Sequence, residues 1–65
     1  MITFEPLWRT LEEKNISQYK LITQYQFSRG QLNRLKHNRN TNVKVINRLC
    51  EILDCDITDI IEYKE

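Results

Sequence analysis

Apolar residues recur at helical spacing along most of this 65-residue chain. Side chains three and four positions apart lie on one side of an α-helix, so such a pattern predicts an amphipathic helix. The pattern covers five segments, residues 4–14, 18–25, 29–37, 43–53 and 57–62. One glycine and one proline are too few for a turn-rich β protein, and no period-two alternation is sustained. The sequence therefore predicts an all-α fold, a compact five-helix bundle forming a single domain over residues 1–65.

Polar residues that can cap helices precede these segments. Their side-chain oxygens can accept a hydrogen bond from an unpaired amide of the first helical turn. We expect caps at Thr3, Ser17, Ser28, Asn42 (or Thr41) and Asp56. The second and third helices are short, and a tight break at residues 26–27 separates them. A helix, a short turn and a second helix within about twenty residues is the spacing of a helix-turn-helix unit.

The apolar side of each helix predicts the core. The expected core residues are Phe4, Leu7, Trp8 and Leu11, then Leu21, Ile22 and Tyr25, then Leu32 and Leu35, then Val43, Ile46, Leu49, Cys50 and Leu53, and finally Ile57, Ile60 and Ile61. Phe27 is expected to fill the gap between the second and third helices. Residues 63–65 are expected to fray.

The third helix has an outward side with no acidic and no apolar side chain. Opposite its two leucines lie Gly30, Asn33, Arg34 and His37, with Arg29 on one flank. Arginine can pair with the two acceptors of guanine, and asparagine can pair with adenine. A glycine near the helix start lets the backbone approach another surface closely. This side is therefore a candidate for reading base edges.

Charge is divided unevenly, although the net charge is only +1. Residues 29–48 contain six bases and no acid, whereas residues 49–65 contain six acids and one base. This division favours an anionic partner for the basic part. The polar loop at residues 38–42 suits phosphate oxygens. The alternatives are chance clustering on solvated helix faces and an ordinary solvated loop.

Other classes of function find little support in the sequence. There is no nucleophile–base set with supporting spacing and no glycine-rich phosphate loop. Cys50 and Cys55 read as free thiols, because two cysteines and one histidine make neither a disulfide framework nor a zinc site. No apolar run reaches the roughly 20 residues that span a bilayer, and no signal pattern opens the chain. We expect a cytoplasmic protein that is not an enzyme, with no cofactor, metal, membrane or small-molecule ligand.

Four stretches carry a family resemblance when they are taken together. They are P-L-W-x-T-L at residues 6–11, I-S-x-Y-x-L-I at 16–22, S-x-x-x-L-x-R-L-K at 28–36 and L-C-x-I-L-D-C-D-I-x-D-I-I at 49–61. In this order and spacing they resemble the DNA-binding domain of the Cro/phage-repressor (XRE) family, especially its short single-domain bacterial members. The resemblance implies a lambda-repressor-like fold with helices 2 and 3 as the helix-turn-helix. It also implies a sequence-specific transcriptional regulator, and we expect a repressor, that places the third helix in the major groove of double-stranded DNA.

The resemblance and the third helix together assign candidate roles. The base-reading residues are Arg29, Gly30, Asn33, Arg34 and His37. The residues that contact the DNA backbone are Ser17, Gln18, Ser28, Gln31, Lys36, Arg39, Asn40 and Lys44. Because one short helix reads only a few base pairs, we expect a homodimer, at least on DNA. The alternative is a small helical module that binds proteins, such as an antitoxin or adaptor.

Two positions depart from the family pattern. Gln26 stands where the family often has glycine, so a left-handed backbone there would be strained, or the turn differs. Ile22 stands where the family commonly has a small residue for close helix packing. Both positions bear on the angle between the second and third helices.

Overall fold

Four α-helices make up most of the regular structure in the computed structural model, which describes residues 1–39 and 41–65. The elements in chain order are β1 Ile2–Thr3, α1 Glu5–Glu13, α2 Gln18–Gln24, α3 Arg29–Lys36, α4 Val43–Leu53, a 3-10 turn Ile57–Asp59 and β2 Glu62–Tyr63. The predicted bounds of α1 to α4 are correct to within one residue. None of the helices in the two described ranges has the length and apolar character needed to cross a membrane.

Every α-helix contributes to one core. The buried apolar side chains are Phe4, Leu7, Leu11, Leu21, Phe27, Leu32, Leu35, Leu49, Leu53 and Ile60. Trp8, Ile22, Tyr25, Ile46, Cys50 and Ile61 are partly buried and pack against this core. Two expected core residues are instead exposed: Val43, the first residue of α4, at 79% and Ile57 at 50%. The core prediction is wrong at these two positions, because each lies at the start of its element.

Side-chain caps begin three of the four helices. The Ser17 hydroxyl accepts from the Lys20 amide at 3.0 Å, and the Ser28 hydroxyl accepts from the Gln31 amide at 3.4 Å. Asn42 Oδ1 accepts from the Val45 amide at 2.9 Å. These contacts confirm the predicted starts of α2, α3 and α4.

The start of α1 differs from the prediction. Thr3 lies in β1 and is buried, so it does not cap α1. Phe4, which directly precedes α1 at the cap position, makes no capping hydrogen bond with its side chain. Its amide donates instead to Asn38 Oδ1 at 3.0 Å. Asn38, two residues after the end of α3, therefore ties the start of α1 to the loop that follows α3.

The predicted fifth helix is wrong. Residues 57–59 form a single 3-10 turn, and the chain then becomes extended as β2. β2 pairs antiparallel with β1, with Ile2 opposite Tyr63, and the Lys64 amide donates to the Met1 carbonyl at 2.8 Å. The expectation that Tyr63 and Lys64 fray is therefore also wrong. The described chain has four α-helices and a small two-stranded sheet.

A buried side chain of α1 holds the 3-10 turn against that helix. The Thr10 hydroxyl donates to the Asp59 carbonyl at 2.8 Å, and Thr10 is buried. Ile60, fully buried, follows directly and closes the core. The acidic C-terminal segment is thus held against the first helix by one polar and one apolar anchor.

Candidate nucleic-acid interface

The outward side of α3 is accessible along its length. Leu32 and Leu35 are 3% and 0% exposed, which orients the helix firmly against the core. At about 100° per residue, the opposite arc of roughly 140° collects the five predicted base-reading residues. All five are exposed, and we call them the reading face: Arg29, Gly30, Asn33, Arg34 and His37. The fold therefore presents these residues on one surface.

Gly30 is the one glycine in the chain. A Cβ atom built at this position would lie 3.5 Å from the Ser28 hydroxyl, an ordinary van der Waals contact. The packing of the protein therefore does not require a glycine there. The missing side chain leaves the backbone of the first turn of α3 open to an approaching surface.

The basic side chains near the reading face have not been neutralised by acids. Among residues 1–39 and 41–65, the ion pairs join Lys64 to Glu5 and to Glu62, at the two ends of the sequence and away from α3. Lys36, Arg39 and Lys44 are exposed. Uncompensated bases around an accessible helix favour a polyanionic partner.

The other predicted backbone-contacting residues lie at helix starts. Ser17 and Ser28 are exposed caps, and each hydroxyl keeps its proton free to donate. Gln18 and Gln31 are half-buried in the first turns of α2 and α3. The starts of α2 and α3 therefore carry four of the predicted contacts. Asn40 lies outside the described residues.

In the loop after α3, two side chains that the sequence suggested for phosphate contacts already accept hydrogen bonds within the protein. Asn38 Oδ1 is occupied by the Phe4 amide, and Asn42 Oδ1 caps α4. Thr41 is half-buried. Of the residues described in this loop, Arg39 has the exposed side chain that suits a phosphate.

The turn between α2 and α3 has a left-handed residue at Gln26, with φ 55°. Among the other described residues, positive φ occurs at Asn15, Asn38 and Asp54, the types that tolerate this region best. Phe27 follows, buried in the core, and its amide donates to the Leu21 carbonyl at 2.9 Å. The strained turn expected from the sequence is therefore present. The turn adopts its left-handed backbone without a glycine.

Two residues near this surface were not singled out from the sequence. Arg48, on α4, donates through Nη2 to the Tyr25 carbonyl at 3.0 Å. Tyr19 is 70% exposed beside Gln18 in the first turn of α2. The helical period already placed Tyr19 away from the core, so its exposure was predictable. The Arg48 contact joins residues 23 apart in sequence, and no local pattern signals it.

A family model described as Cro/C1-type HTH DNA-binding domain matches residues 6–65. The chain belongs to the Cro/C1-type helix-turn-helix family. The solved structure of the transcriptional regulator VanUg is similar, with a TM-score of 0.84 and 30% sequence identity. That match covers 94% of this chain and 81% of the VanUg chain. A search of curated proteins gave no match.

The family description names a helix-turn-helix DNA-binding domain. A helix, a tight turn and a second helix occur in this chain as α2, the turn at Gln26 and α3. The resemblance inferred from four sequence stretches is thereby confirmed. The geometry adds what a family match does not contain, namely which side of α3 is accessible and how the turn is held.

Proposed function

We propose that this Cro/C1-type protein is a sequence-specific transcriptional regulator that inserts α3 into the major groove of double-stranded DNA. The observation that carries the proposal is the reading face, which is exposed, free of acids and opposite two buried leucines. The similarity to VanUg, a transcriptional regulator, supports the same class of function. Such a protein acts where the DNA is, in the cytoplasm of a bacterial cell.

The side chains of the reading face divide by chemistry. Arg29 and Arg34 each offer the two donors that match O6 and N7 of guanine, and Asn33 matches adenine. His37, at the end of α3, can donate to a base edge or a phosphate. Gly30 allows the helix start to come close to the groove. Among these roles, that of Arg34, in the last turn of α3, is the one on which specificity depends most.

Phosphate contacts surround this central set. The proposed contacts are made by Ser17, Gln18, Ser28, Gln31, Lys36, Arg39, Asn40 and Lys44. Helix starts favour phosphate because their unpaired amides point outward and the helix dipole is positive there. Lys36 and Arg39 lie at the other end of α3. Phosphate contacts at both ends of a helix fix its register without reading sequence.

We further propose that the protein represses transcription. A helix-turn-helix domain seated in the major groove excludes other proteins from the same base pairs. Repression follows when those base pairs belong to a promoter. The regulated promoter would be identified by the preferred sequence of the protein.

Selection of bound sequences from a random pool of double-stranded DNA tests the proposal. We expect a defined motif of a few base pairs per α3, bound with an affinity that falls steeply with salt. Failure to enrich any motif at low salt would contradict sequence-specific binding. It would instead favour the alternative of a protein-binding module such as an antitoxin or adaptor.

A further inference from the structure

The turn of the helix-turn-helix has a support that does not come from either of its helices. Tyr25 is the residue that ends α2, and its carbonyl accepts a hydrogen bond from Arg48 of α4 at 3.0 Å. The last carbonyls of a helix lack partners within the helix and carry partial negative charge. A guanidinium is therefore well matched to the Tyr25 carbonyl.

The supported carbonyl lies next to the strained residue. Gln26, with φ 55°, follows Tyr25 directly, and a left-handed backbone disfavours residues with a Cβ atom. The core anchors the far side of the turn through Phe27, which is 7% exposed. Arg48 anchors the near side from the solvent. Gln26 is thus held between two fixed points.

α4 is a firm base for this contact. Leu49, the neighbour of Arg48, is fully buried, and Leu53 is 2% exposed. Arg48 lines a groove of about 330 Å³ between α4 and the turn. α3 begins at Arg29, three residues after Gln26, so the backbone of the turn leads directly into α3.

We propose that Arg48 is a positioning residue for DNA recognition, which sets the orientation of α3 by holding the Tyr25 carbonyl. This inference rests on the proposed function. It assigns Arg48 a role through the turn and not a phosphate contact of its own. Lys44 lies one helical turn earlier on the same side of α4 and borders the same groove, so it is the matched control.

Salt dependence separates the two roles. Each phosphate contact that is lost should lower the slope of log affinity against log salt by about 0.9. Arg48→Ala should weaken binding to the preferred site by roughly fivefold, the equivalent of an ordinary intramolecular hydrogen bond, and leave the salt slope unchanged. It should also reduce discrimination against random DNA. Lys44→Ala should weaken preferred and random DNA alike and lower the slope.

The free protein offers a second readout. In Arg48→Ala, the carbonyl carbon of Tyr25 and the amides of Gln26 and Phe27 should change their NMR chemical shifts. In Lys44→Ala they should stay as in the wild type. If Arg48→Ala does not fold, Arg48→Gln keeps part of the aliphatic stem, removes the charge and allows the same measurements.

Two results would overturn the assignment. A lower salt slope with uniform weakening in the Arg48 variants would make this guanidinium a phosphate ligand. Unchanged affinity, discrimination and Tyr25 shift would leave it without a role. If the wild type itself shows no sequence preference, the proposed function fails, and the Tyr25 shift still decides whether Arg48 holds the turn.

Discussion

Gln26 has a left-handed backbone, with φ 55°, although its Cβ atom disfavours that conformation. A residue with a Cβ atom loses roughly 1–2 kcal/mol in the left-handed region, whereas glycine does not. Gln26 is exposed, so its side chain contributes little to packing. We predict that Gln26→Gly raises the free energy of unfolding by about 0.5–1 kcal/mol, after allowing for the greater freedom of glycine in the unfolded chain. Urea unfolding of the two proteins measures the difference.

Asn15 is the matched control for this substitution. It has φ 56°, almost the same as Gln26, but asparagine tolerates this region. Asn15→Gly should therefore change the free energy of unfolding much less. Equal gains in the two variants would show that the benefit of glycine does not come from relieved strain at Gln26.

Arg34 and Lys36 lie two residues apart on α3, and replacing each with alanine should change DNA binding in a different way. Arg34, on the reading face, should pair with a base, so Arg34→Ala should cost roughly 1–3 kcal/mol on the preferred site and relax specificity at that position. Lys36 should hold a phosphate, so Lys36→Ala should weaken all sequences alike and lower the salt slope by about 0.9. Gel-shift titrations at several salt concentrations measure both. If Arg34→Ala binds every sequence as the wild type does, Arg34 does not read bases.

Among the helices and strands, predictability follows the length of the periodic pattern. α4 was placed with both ends correct because eleven residues give a clear apolar stripe and Asn42 gives a start. Residues 57–62 also show helical spacing, but six residues are too few to outweigh pairing with the other end of the chain. The two-residue strands have no period to detect, and their pairing joins Ile2 to Tyr63.

In the candidate site, too, the features set by local helical spacing were predictable and the contacts between distant residues were not. The reading face was predictable because it is the complement of Leu32 and Leu35 on a regular helix. Two hydrogen bonds fix the ends of the segment that contains α3, from the Phe4 amide to Asn38 and from Arg48 to the Tyr25 carbonyl, and they span 34 and 23 residues. Such contacts depend on how the helices pack, which a single sequence does not reveal through spacing.

The pairing of β1 and β2 is accompanied by an ion pair between Glu5 and Lys64 at 2.5 Å. The hydrogen bond and the positive charge of Lys64 lower the pKa of Glu5 below its usual value. The folded protein therefore binds this proton less readily than the unfolded chain does. Stabilisation from the pair is present above the unfolded pKa and is lost as the pH falls through the folded pKa. Because both groups are exposed, the effect on stability is small.

We predict that Lys64→Ala raises the pKa of Glu5 toward its usual value. An NMR titration of the Glu5 carboxyl carbon measures this change directly. Salt at about 1 M should raise the Glu5 pKa in the wild type by screening the charge of Lys64, and it should have less effect in the variant. A Glu5 pKa that does not respond to Lys64→Ala would show that the pair does not persist in solution.

Considered as one body, the molecule is small relative to its proposed target. Its largest extent is 34 Å, about one helical turn of DNA, and the proposed function assigns base reading to α3 alone. α3 has eight residues and is therefore only about 12 Å long. A reading face of this length covers a few base pairs, which is too little information for a unique site. The geometry of one molecule thus favours recognition by two copies.

We predict that two copies bind a two-fold symmetric site with half-sites about 10 bp apart. At that spacing both half-sites face the same side of the duplex, so two molecules can contact each other while each inserts α3. Increasing the spacing to about 15 bp rotates one half-site to the opposite side, and should remove the gain in affinity over a single half-site. Light scattering measures the stoichiometry, and titration measures the affinity, on three DNAs: the site with about 10 bp spacing, the site with about 15 bp spacing and the single half-site. A complex of one protein with one non-repeating site would show that one molecule suffices, and the surfaces of α2 and α4 would then have to supply the specificity that its reading face lacks.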